Sequence, residues 1–251
     1  MSVIDLHCHL LPGLDDGPTS MPEAFAMARV AAASGTTTIV ATPHIDYRWG
    51  VRPHDLPRRG AALADALAEE GIELELRTSG EIAISRLADL SGEELDSLRL
   101  GDGRYLLVES PMNPADADFD VLLLKVQERG ESIVLAHPER CPLFQRQPER
   151  LARCVDAGIL CSITAGSLRG DFGERVRRFS LEILGAGLVH DLASDAHDHL
   201  SRTPSLAGAV EAVEDDLPGV SAQAEWLTSV APAAILAGER PPPPPPLGDV
   251  R

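Results

Sequence analysis

The sequence predicts an α/β fold, a seven-stranded (β/α)7 TIM-like barrel. First, short apolar and β-branched runs alternate with longer alanine- and leucine-rich runs, a pattern typical of parallel strands joined by right-handed helical crossovers. Second, a His, Glu or Asp follows six of the seven predicted strands, and closed barrels place their active sites at these strand ends, whereas an open sheet uses one crevice. Third, a length of 251 residues suits one barrel, although it could also hold two smaller domains.

The predicted strands are runs of Val, Ile, Leu and Thr bounded by glycine, proline or polar clusters, which indicates short buried strands. In chain order they span residues 3–6, 36–40, 72–76, 105–108, 132–136, 159–163 and 188–193. The sixth strand ends in Thr164, and every other strand leads into a potential ligand.

The predicted helices lie between these strands. Thr19 or Ser20 can cap the first helix, Pro22 suits its first turn, and Gly35 follows its end. Glycines close several later helices in the same way. The predicted helices span residues 22–33, 55–70, 84–90, 93–98, 119–129, 148–157 and 173–184, and further helices after residue 205 are expected to pack on the outside.

Composition bounds the class of protein. The formal net charge of −17 argues against a nucleic-acid partner, since phosphate backbones are bound by clustered Lys and Arg. The four cysteines form no C-x-x-C pair, which indicates reduced thiols. No apolar run approaches the roughly 20 residues that cross a bilayer, so no membrane insertion is expected. We therefore expect a soluble, cytoplasmic protein.

Domain organisation is expected to be simple, with a single barrel domain over residues 1–240. Residues 241–251 begin with six consecutive prolines, which cannot join a helix or a sheet. They predict an extended, disordered tail, with a docking motif for a proline-binding module as the less favoured interpretation.

The residues at the strand ends predict a metal centre. His7 and His9 occupy alternate positions of the first strand, so both imidazoles point the same way, about 7 Å apart along the backbone. Taken alone this pair is a weak signal, but later strands end in further imidazoles and carboxylates, which would be costly to bury without a cation. The eight candidate ligands are His7, His9, His44, Glu81, Glu109, His137, Asp195 and His197.

Eight ligands are too many for one tetrahedral zinc, so two or three divalent ions bridged by a carboxylate and water are expected. Histidine and carboxylate ligands without thiolate suit manganese, iron or zinc. Such a cluster lowers the pKa of a bridging water and clamps a phosphate ester for in-line attack by hydroxide.

Seven motifs appear in a characteristic order, and together they resemble the polymerase and histidinol phosphatase (PHP) superfamily. Within it the chain is similar to the bacterial capsular polysaccharide tyrosine-protein phosphatases, from Ile4 to about Leu236. The motifs are His7-x-His9, Leu14-Asp15-Asp16-Gly17-Pro18, Thr42-Pro43-His44, Gly80-Glu81-Ile82, Val108-Glu109-Ser110, Ala136-His137-Pro138-Glu139-Arg140 and Ser194-Asp195-Ala196-His197.

The resemblance implies a metal-dependent phosphatase, usually manganese-activated, with a trinuclear site in a distorted seven-stranded barrel. It implies the same eight ligands and places Asp16, Arg140 and Arg202 where such enzymes handle the substrate. One departure is the run Ser201-Arg202-Thr203-Pro204, where relatives often have Gly-Arg-Pro-Pro. The arginine is kept, in a different backbone setting.

Each of these three residues has a chemical role and an alternative. Arg140 can fork onto phosphate oxygens and take up developing charge, and Arg202 can do the same or form a surface salt bridge. Asp16 could protonate the leaving oxygen, position the water, or simply cap the next helix.

The function predicted is therefore a protein-tyrosine phosphatase with a role in regulating capsular or exopolysaccharide synthesis. Its partner would be a phosphotyrosine protein or peptide, with a bacterial tyrosine kinase as a candidate. Cysteine-dependent chemistry is disfavoured, because no cysteine has an arginine six residues on. The alternatives are a histidinol-phosphate or other small-molecule phosphatase, another metal-dependent hydrolase, and a non-catalytic barrel.

Overall fold

A computed structural model describes residues 2–113 and 117–247. Its strands are short, and the described ones are β1 (Val3–Cys8), β2 (Thr36–Ala41), β3 (His44–Ile45), β4 (Glu75–Thr78), β5 (Glu81–Ala83), β6 (Tyr105–Glu109), β7 (Ser132–Ala136), β8 (Leu160–Thr164) and β9 (Asp191–Ala193). The described α-helices are α1 (Met21–Ala33), α2 (Leu56–Glu69), α3 (Gly92–Ser97), α4 (Phe119–Glu128), α5 (Pro142–Arg146), α6 (Pro148–Asp156), α7 (Ala165–Arg169), α8 (Glu174–Gly185) and α9 (Ala231–Leu236).

The strands form two sheets, and every strand pair in them is parallel. The smaller sheet has the order β1-β2-β4, and the larger has the order β3-β5-β6-β7-β8-β9. Parallel strands linked by helices confirm the predicted α/β class, and they bring the carboxyl ends of the strands to one end of the molecule.

The two sheets result from interruptions after β2 and after β4, and the short strands β3 and β5 that follow them were not predicted. Pro43 separates β2 from β3 because proline has no amide hydrogen to donate to a neighbouring strand. Gly80 separates β4 from β5 at a close approach, where an added Cβ would lie 2.5 Å from Ile45 Cγ1. Two hydrogen bonds continue across the gap, from Ser79 N to Ala41 O and from Glu81 N to Pro43 O, each 3.0 Å long.

Hydrogen bonds also join the first strand to the segment that follows the last one. Asp195 N donates to His7 O at 2.8 Å, and His9 N donates to Ala196 O at 2.9 Å. Cys8 and Ala196 form a parallel bridge. The end of β1 therefore lies directly beside the end of β9, which places the first and last motifs of the chain in contact.

Alternate strand residues pack into two different clusters of buried side chains. Leu107, Val134 and Leu160 pack in the smaller cluster, which α9 completes with Ile235 and Leu236. The other face of the same strands packs against the surrounding helices, for example Leu106 and Leu135 with Phe119 and Leu123 of α4. Burial of both faces explains why these strands are almost continuously apolar in sequence.

Some elements and element boundaries differ from the prediction. The strand expected at residues 72–76 is β4, which begins at Glu75, because Ile72 N instead donates to Leu67 O and finishes the helix before it. The short helix α7 was not predicted; it follows β8 directly. After residue 205 the chain forms short 3₁₀ turns and a π-helical turn, Trp226–Val230, before α9.

The proline-rich segment is described as far as residue 247. Residues 241–247 have no helix or strand, as proline requires, but they are hydrogen-bonded to the body of the protein. Residues 248–251, the rest of the predicted tail, lie outside the described residues. None of the described helices combines the length and apolar character needed to cross a membrane.

Candidate metal centre

The paired histidines of the first strand converge as their spacing predicts. His7 lies in β1 and His9 just beyond it, and their Nε2 atoms are 3.2 Å apart. Both side chains are buried. Cys8, between them, packs on the opposite side with the helices. The two imidazoles therefore present their ring nitrogens to the same small volume.

Glu81 is the carboxylate at the middle of the cluster. Its Oε2 lies 3.4 Å from the Nε2 atoms of both His7 and His9, and 3.0 Å from His44 Nδ1. Its other oxygen, Oε1, lies 2.7 Å from His137 Nε2. One buried carboxylate thus contacts four imidazoles from three different strand ends, the arrangement expected of a bridging ligand.

The remaining predicted ligands surround this centre. Asp195 Oδ1 lies 3.5 Å from His7 Nε2 and 3.6 Å from His9 Nε2. His197 follows two residues later, and its ring centroid is 3.9 Å from that of His9. Glu109, the last residue of β6, lies beside Glu81 and His44. The structure thus brings all eight predicted ligands together.

Their donor atoms fall into four overlapping groups, in each of which the donor atoms lie within 4.8 Å of one another. The groups are His9, Asp16, His44 and His197; His7, His9 and Asp195; His7, Glu81 and His137; and His44, Glu81 and Glu109. Because several side chains belong to two groups, the geometry suits a cluster of ions that share ligands.

Two of these residues have a strained backbone conformation. His137 and Asp195 are the two described non-glycine residues with positive φ, at 37° and 49°. Such conformations cost on the order of 1 kcal/mol or more and concentrate at functional sites. Backbone hydrogen bonds hold them, from His137 N to Ser162 O and from Asp195 N to His7 O, both 2.8 Å. The strain turns each side chain from its strand into the cluster.

The loop after β1 supplies two acids with different surroundings. Asp16 Oδ1 lies 3.3 Å from His197 Nε2 and 3.4 Å from His44 Nε2, so Asp16 is placed among the ligands. Asp15 Oδ2 lies 2.7 Å from His9 Nδ1 and accepts a hydrogen bond from His44 N at 3.0 Å. Asp15 therefore orients an imidazole whose other nitrogen faces the cluster.

Sequence reasoning singled out Asp16 in this loop and missed Asp15. The signal available was the adjacency of two acids in a loop that faces a histidine pair, but adjacent positions point in different directions, and only the folded loop shows which acid contacts which ring.

Arg140 and Arg202 lie together at one side of the cluster. Arg140 donates to Asp195 Oδ2 at 2.5 Å, and Arg202 donates to the same oxygen at 2.6 Å. Phe172 lies beneath both guanidinium groups, with its ring centroid 4.3 Å from Arg140 Cζ and 5.8 Å from Arg202 Cζ. Phe172 was not predicted, because a single aromatic residue in a loop carries no sequence signal of its own.

The segment before Arg202 shows how this chain accommodates Ser201. The Asp198 carboxylate accepts hydrogen bonds from the Ser201 amide and hydroxyl, each 2.6 Å long. The loop closes through His197 N, which donates to Arg202 O at 3.0 Å. The serine side chain thus fixes the turn to Asp198, and the backbone bond ties Arg202 to the candidate ligand His197.

Glu139 is a buried acid that fixes the turn in which Arg140 lies. Its Oε1 accepts hydrogen bonds from Thr164 N at 3.0 Å and from the Ser167 hydroxyl at 2.7 Å. These bonds attach the 3₁₀ turn Pro138–Arg140 to the end of β8 and to α7. Glu139 was noted as part of a motif, and its structural role could not be read from the motif alone.

Electrostatics in the cluster follow from burial and from the mixture of charges. Burial and the charge of Glu81 raise the pKa of Glu109 to about 7. Burial alone would also raise the pKa of Asp195, but the charge of His7 and a hydrogen bond from His9 hold that pKa well below its usual range. Burial and the neighbouring charge of His9 lower the pKa of His197 to about 3.

The donor set fits divalent metal ions. Nine side chains, five imidazoles and four carboxylates, converge without a thiolate, which suits manganese, iron or zinc. Within the described part of the chain, the buried Glu81 Oε2 accepts no hydrogen bond, and the buried His137 Nδ1 neither accepts nor donates one. A buried carboxylate oxygen among imidazoles and without a donor is a costly arrangement that a cation would relieve.

Comparisons with known proteins agree with this geometry. Residues 3–236 match the family model described as capsular polysaccharide synthesis, CpsB/CapC. The tyrosine-protein phosphatase YwqE of Bacillus subtilis is 34% identical over 217 residues, which cover 85% of each chain. The tyrosine-protein phosphatase CpsB of Streptococcus pneumoniae is 27% identical over 219 residues, covering 84% of this chain and 89% of CpsB.

Solved structures extend the comparison. The structure matches a chain from the crystal structures of YwqE and of CpsB from S. pneumoniae, metal-dependent tyrosine phosphatases, with a TM-score of 0.81, 32% identity and coverage of 98% and 99%. Histidinol phosphate phosphatase from Lactococcus lactis matches with a TM-score of 0.55 and 14% identity, over 80% of this chain and 90% of that one, which shows a shared fold alone. On the extent of the family match and of the identity to YwqE, this chain belongs to the capsular polysaccharide synthesis CpsB/CapC family.

Proposed function

We propose that this protein is a metal-dependent protein-tyrosine phosphatase. The single observation that carries the proposal is the convergence of nine metal-ligating side chains beside two arginines, in a chain that belongs to the CpsB/CapC family. One chain from the crystal structures of YwqE and CpsB, which are metal-dependent tyrosine phosphatases, matches this fold almost end to end.

The eight ligands predicted from sequence would hold two or three divalent ions, with manganese as the proposed metal. Asp16 joins them as a ninth candidate, since its carboxylate lies in the group with His9, His44 and His197. When bound, such ions activate water for attack on phosphorus and neutralise the charge of the phosphate ester.

The chain's own residues would complete the site around the substrate. The guanidinium groups of Arg140 and Arg202 lie where they could turn from Asp195 to phosphate oxygens, and Arg202 Nε is a buried donor without a partner in the described residues. Phe172 stacks against both and holds their planes near the cluster. Asp16, with its side chain 42% exposed, remains our candidate for positioning water or protonating the leaving oxygen.

Phosphotyrosine is the proposed substrate class. A tyrosine phenol has a pKa of about 10, so its phenolate leaves more readily than a serine alkoxide and needs less acid assistance. The substrate would be a phosphotyrosine protein or peptide, with a bacterial tyrosine kinase as a candidate partner. A role in regulating capsular or exopolysaccharide synthesis follows from the family to which the chain belongs.

We infer that the two sheets form one distorted seven-stranded barrel of the PHP type over residues 1–240, in which β2 with β3 and β4 with β5 each count as one interrupted strand. The inference is supported by the hydrogen bonds that cross from β2 and β4 into the larger sheet, and by those that join β1 to the segment after β9. The family match to residues 3–236 supports the domain boundary. The cytoplasmic location expected from the sequence is retained as a proposal.

A substrate panel tests the proposed function. Under one buffer and metal load, kcat/KM should be at least about tenfold higher for phosphotyrosine peptides and aryl phosphates than for phosphoserine peptides or histidinol phosphate, a difference of about 1.4 kcal/mol in the barrier. Histidinol phosphate as the best substrate would move the protein to the neighbouring branch of the superfamily, with its fold and metal site unchanged.

A further inference from the structure

The proline-rich segment that follows the family-matched region has contacts that the phosphatase proposal does not use. Trp226 Nε1 donates a hydrogen bond to Pro242 O at 3.0 Å, and Gln223 Nε2 donates one to Pro245 O at 2.7 Å. Both donors are almost fully buried, Trp226 at 4% and Gln223 at 5% exposure. Leu247, just after the prolines, packs against the main hydrophobic core.

The spacing of these contacts matches one particular backbone conformation. Each proline has φ fixed near −65°, and a residue that precedes proline is confined to extended conformations, so residues 241–245 are restricted to the polyproline II helix. That helix has three residues per turn. Pro242 and Pro245 are three residues apart, so their carbonyl oxygens lie on the same side.

Burial along the segment has the same three-residue period. Pro241, Pro244 and Leu247, each three residues apart, are partly buried together with Pro245, whereas Pro242, Pro243 and Pro246 are exposed. One face of the segment therefore lies against the body of the protein, and the carbonyl groups beside that face accept hydrogen bonds from it. A proline tract has no amide donors, so carbonyl acceptors and ring surfaces are all that a binding surface can recognise.

We propose that Gln223 and Trp226 form a polyproline II recognition groove, and that its ligand is the chain's own segment 241–247. An indole donor beside apolar surface is the chemistry by which proteins recognise polyproline II ligands, which lose little conformational entropy on binding because they are already extended. The groove binds the tract of its own chain, so the tract is not available to proline-binding modules of other proteins.

This assignment uses no residue of the metal centre and stands independently of the proposed phosphatase activity. Tethering explains how two hydrogen bonds and a leucine contact can hold the segment. A ligand on a short connection has an effective concentration on the order of millimolar, which a free peptide must match to compete.

The test follows the indole N–H resonance of Trp226 by NMR in the full-length protein, with Trp49 as the internal reference, since the chain has two tryptophans. In the wild type the Trp226 indole hydrogen should exchange with solvent about tenfold more slowly than in a full-length variant whose residues 241–246 are all glycine. Gln223→Ala, a milder second variant, should give an intermediate rate. Neither variant should shift the Trp49 resonance.

A peptide titration then tests recognition of polyproline II itself. An acetylated hexaproline peptide at millimolar concentration should move the Trp226 resonance of the six-glycine variant toward its wild-type position, and hexaglycine should leave it unchanged. Equal exchange rates in the wild type and the glycine variant, or no response to hexaproline, would overturn the proposal. If the protection of the Trp226 indole hydrogen from exchange depended on protein concentration, the intramolecular assignment would be overturned. The groove would then bind the proline segment of a second copy of the chain.

Discussion

At the residue scale, Arg140 is the side chain whose two contacts most directly suggest a role toward substrate. It donates to Asp195 and stacks on Phe172, while 16% of its side chain stays exposed. We expect Arg140→Ala to lower turnover on the order of 100-fold, the scale on which loss of one preorganised donor to the transition state is felt, with metal content unchanged.

The control for this variant is Arg175→Ala, an exposed arginine on α8, which should leave turnover and metal content at wild-type values. Measurements of kcat and of metal per protein decide the question. Loss of metal from Arg140→Ala would mean that Arg140 positions the ligand Asp195 and does not contact the substrate.

A second residue-scale prediction concerns Asp191, which is buried in β9 opposite Ser162 in β8. Burial and the nearby charge of Asp5 raise the pKa of Asp191 to about 8, against the hydrogen bond with Ser162, which lowers it. The folded protein therefore holds a proton that the unfolded chain releases near pH 4. Stability from this group falls as pH rises from about 4 to about 8 and is level above that.

Asp191→Asn is neutral throughout this range, so its melting temperature relative to wild type should rise between pH 5 and pH 8. The gain at pH 8 should be on the order of 1 kcal/mol or more in the free energy of unfolding. Asp65→Asn, an exposed substitution on α2, should show no such trend. A difference between Asp191→Asn and wild type that stays constant with pH would contradict the raised pKa.

At the element scale, the loop between β1 and α1 depends on one close approach. A Cβ added to Gly17 would lie 2.4 Å from the backbone oxygen of His9, so any side chain must push the loop away from the end of β1. Since this loop carries Asp15 and Asp16, we expect Gly17→Ala to lower kcat/KM by about tenfold or more and to reduce the metal bound per protein.

Gly92→Ala is the matched control, because an added Cβ at Gly92, at the start of α3, meets no described heavy atom within 4 Å. Both variants would be compared by metal analysis and by phosphatase kinetics. Normal metal content and activity in Gly17→Ala would show that the loop can move without disturbing the ligands.

At the scale of the whole molecule, the candidate metal centre brings together side chains from strand ends at the beginning and at the end of the chain. At a free-ion concentration a thousandfold above the dissociation constant, metal binding would stabilise the fold by about 4 kcal/mol. For a chain of this size that corresponds to a shift in melting temperature of about 10 °C. Chelation should therefore lower the melting temperature and abolish turnover, and manganese should restore turnover best.

The control for chelation is the same chelator already saturated with manganese, which should leave both readouts unchanged. Metal analysis must accompany the assay, since tightly held ions can survive a brief treatment. Full activity in protein verified as metal-free would refute the proposed metal dependence.

The candidate ligands were predictable because each lies at the end of, or within a few residues after, a run that reads as a strand. His7 and His9 share a strand face by simple alternation, and parallel strands place Glu109, His137 and Asp195 at the same end. The roles of Asp15, Glu139 and Phe172 were not predictable, because each acts on a residue brought near it by folding, and local pattern carries no information about such partners.

The sequence by itself determined the α/β class, the order of the longer strands and helices and the set of eight candidate ligands, because these depend on periodicity and on residue chemistry at strand ends. The tertiary structure alone decided the interruptions at Pro43 and Gly80, the placement of Asp16 among the ligands, and the contact between Trp226 and the proline tract. These depend on distances between segments remote in sequence, and such distances are set by how the whole chain packs and not by any local run of residues.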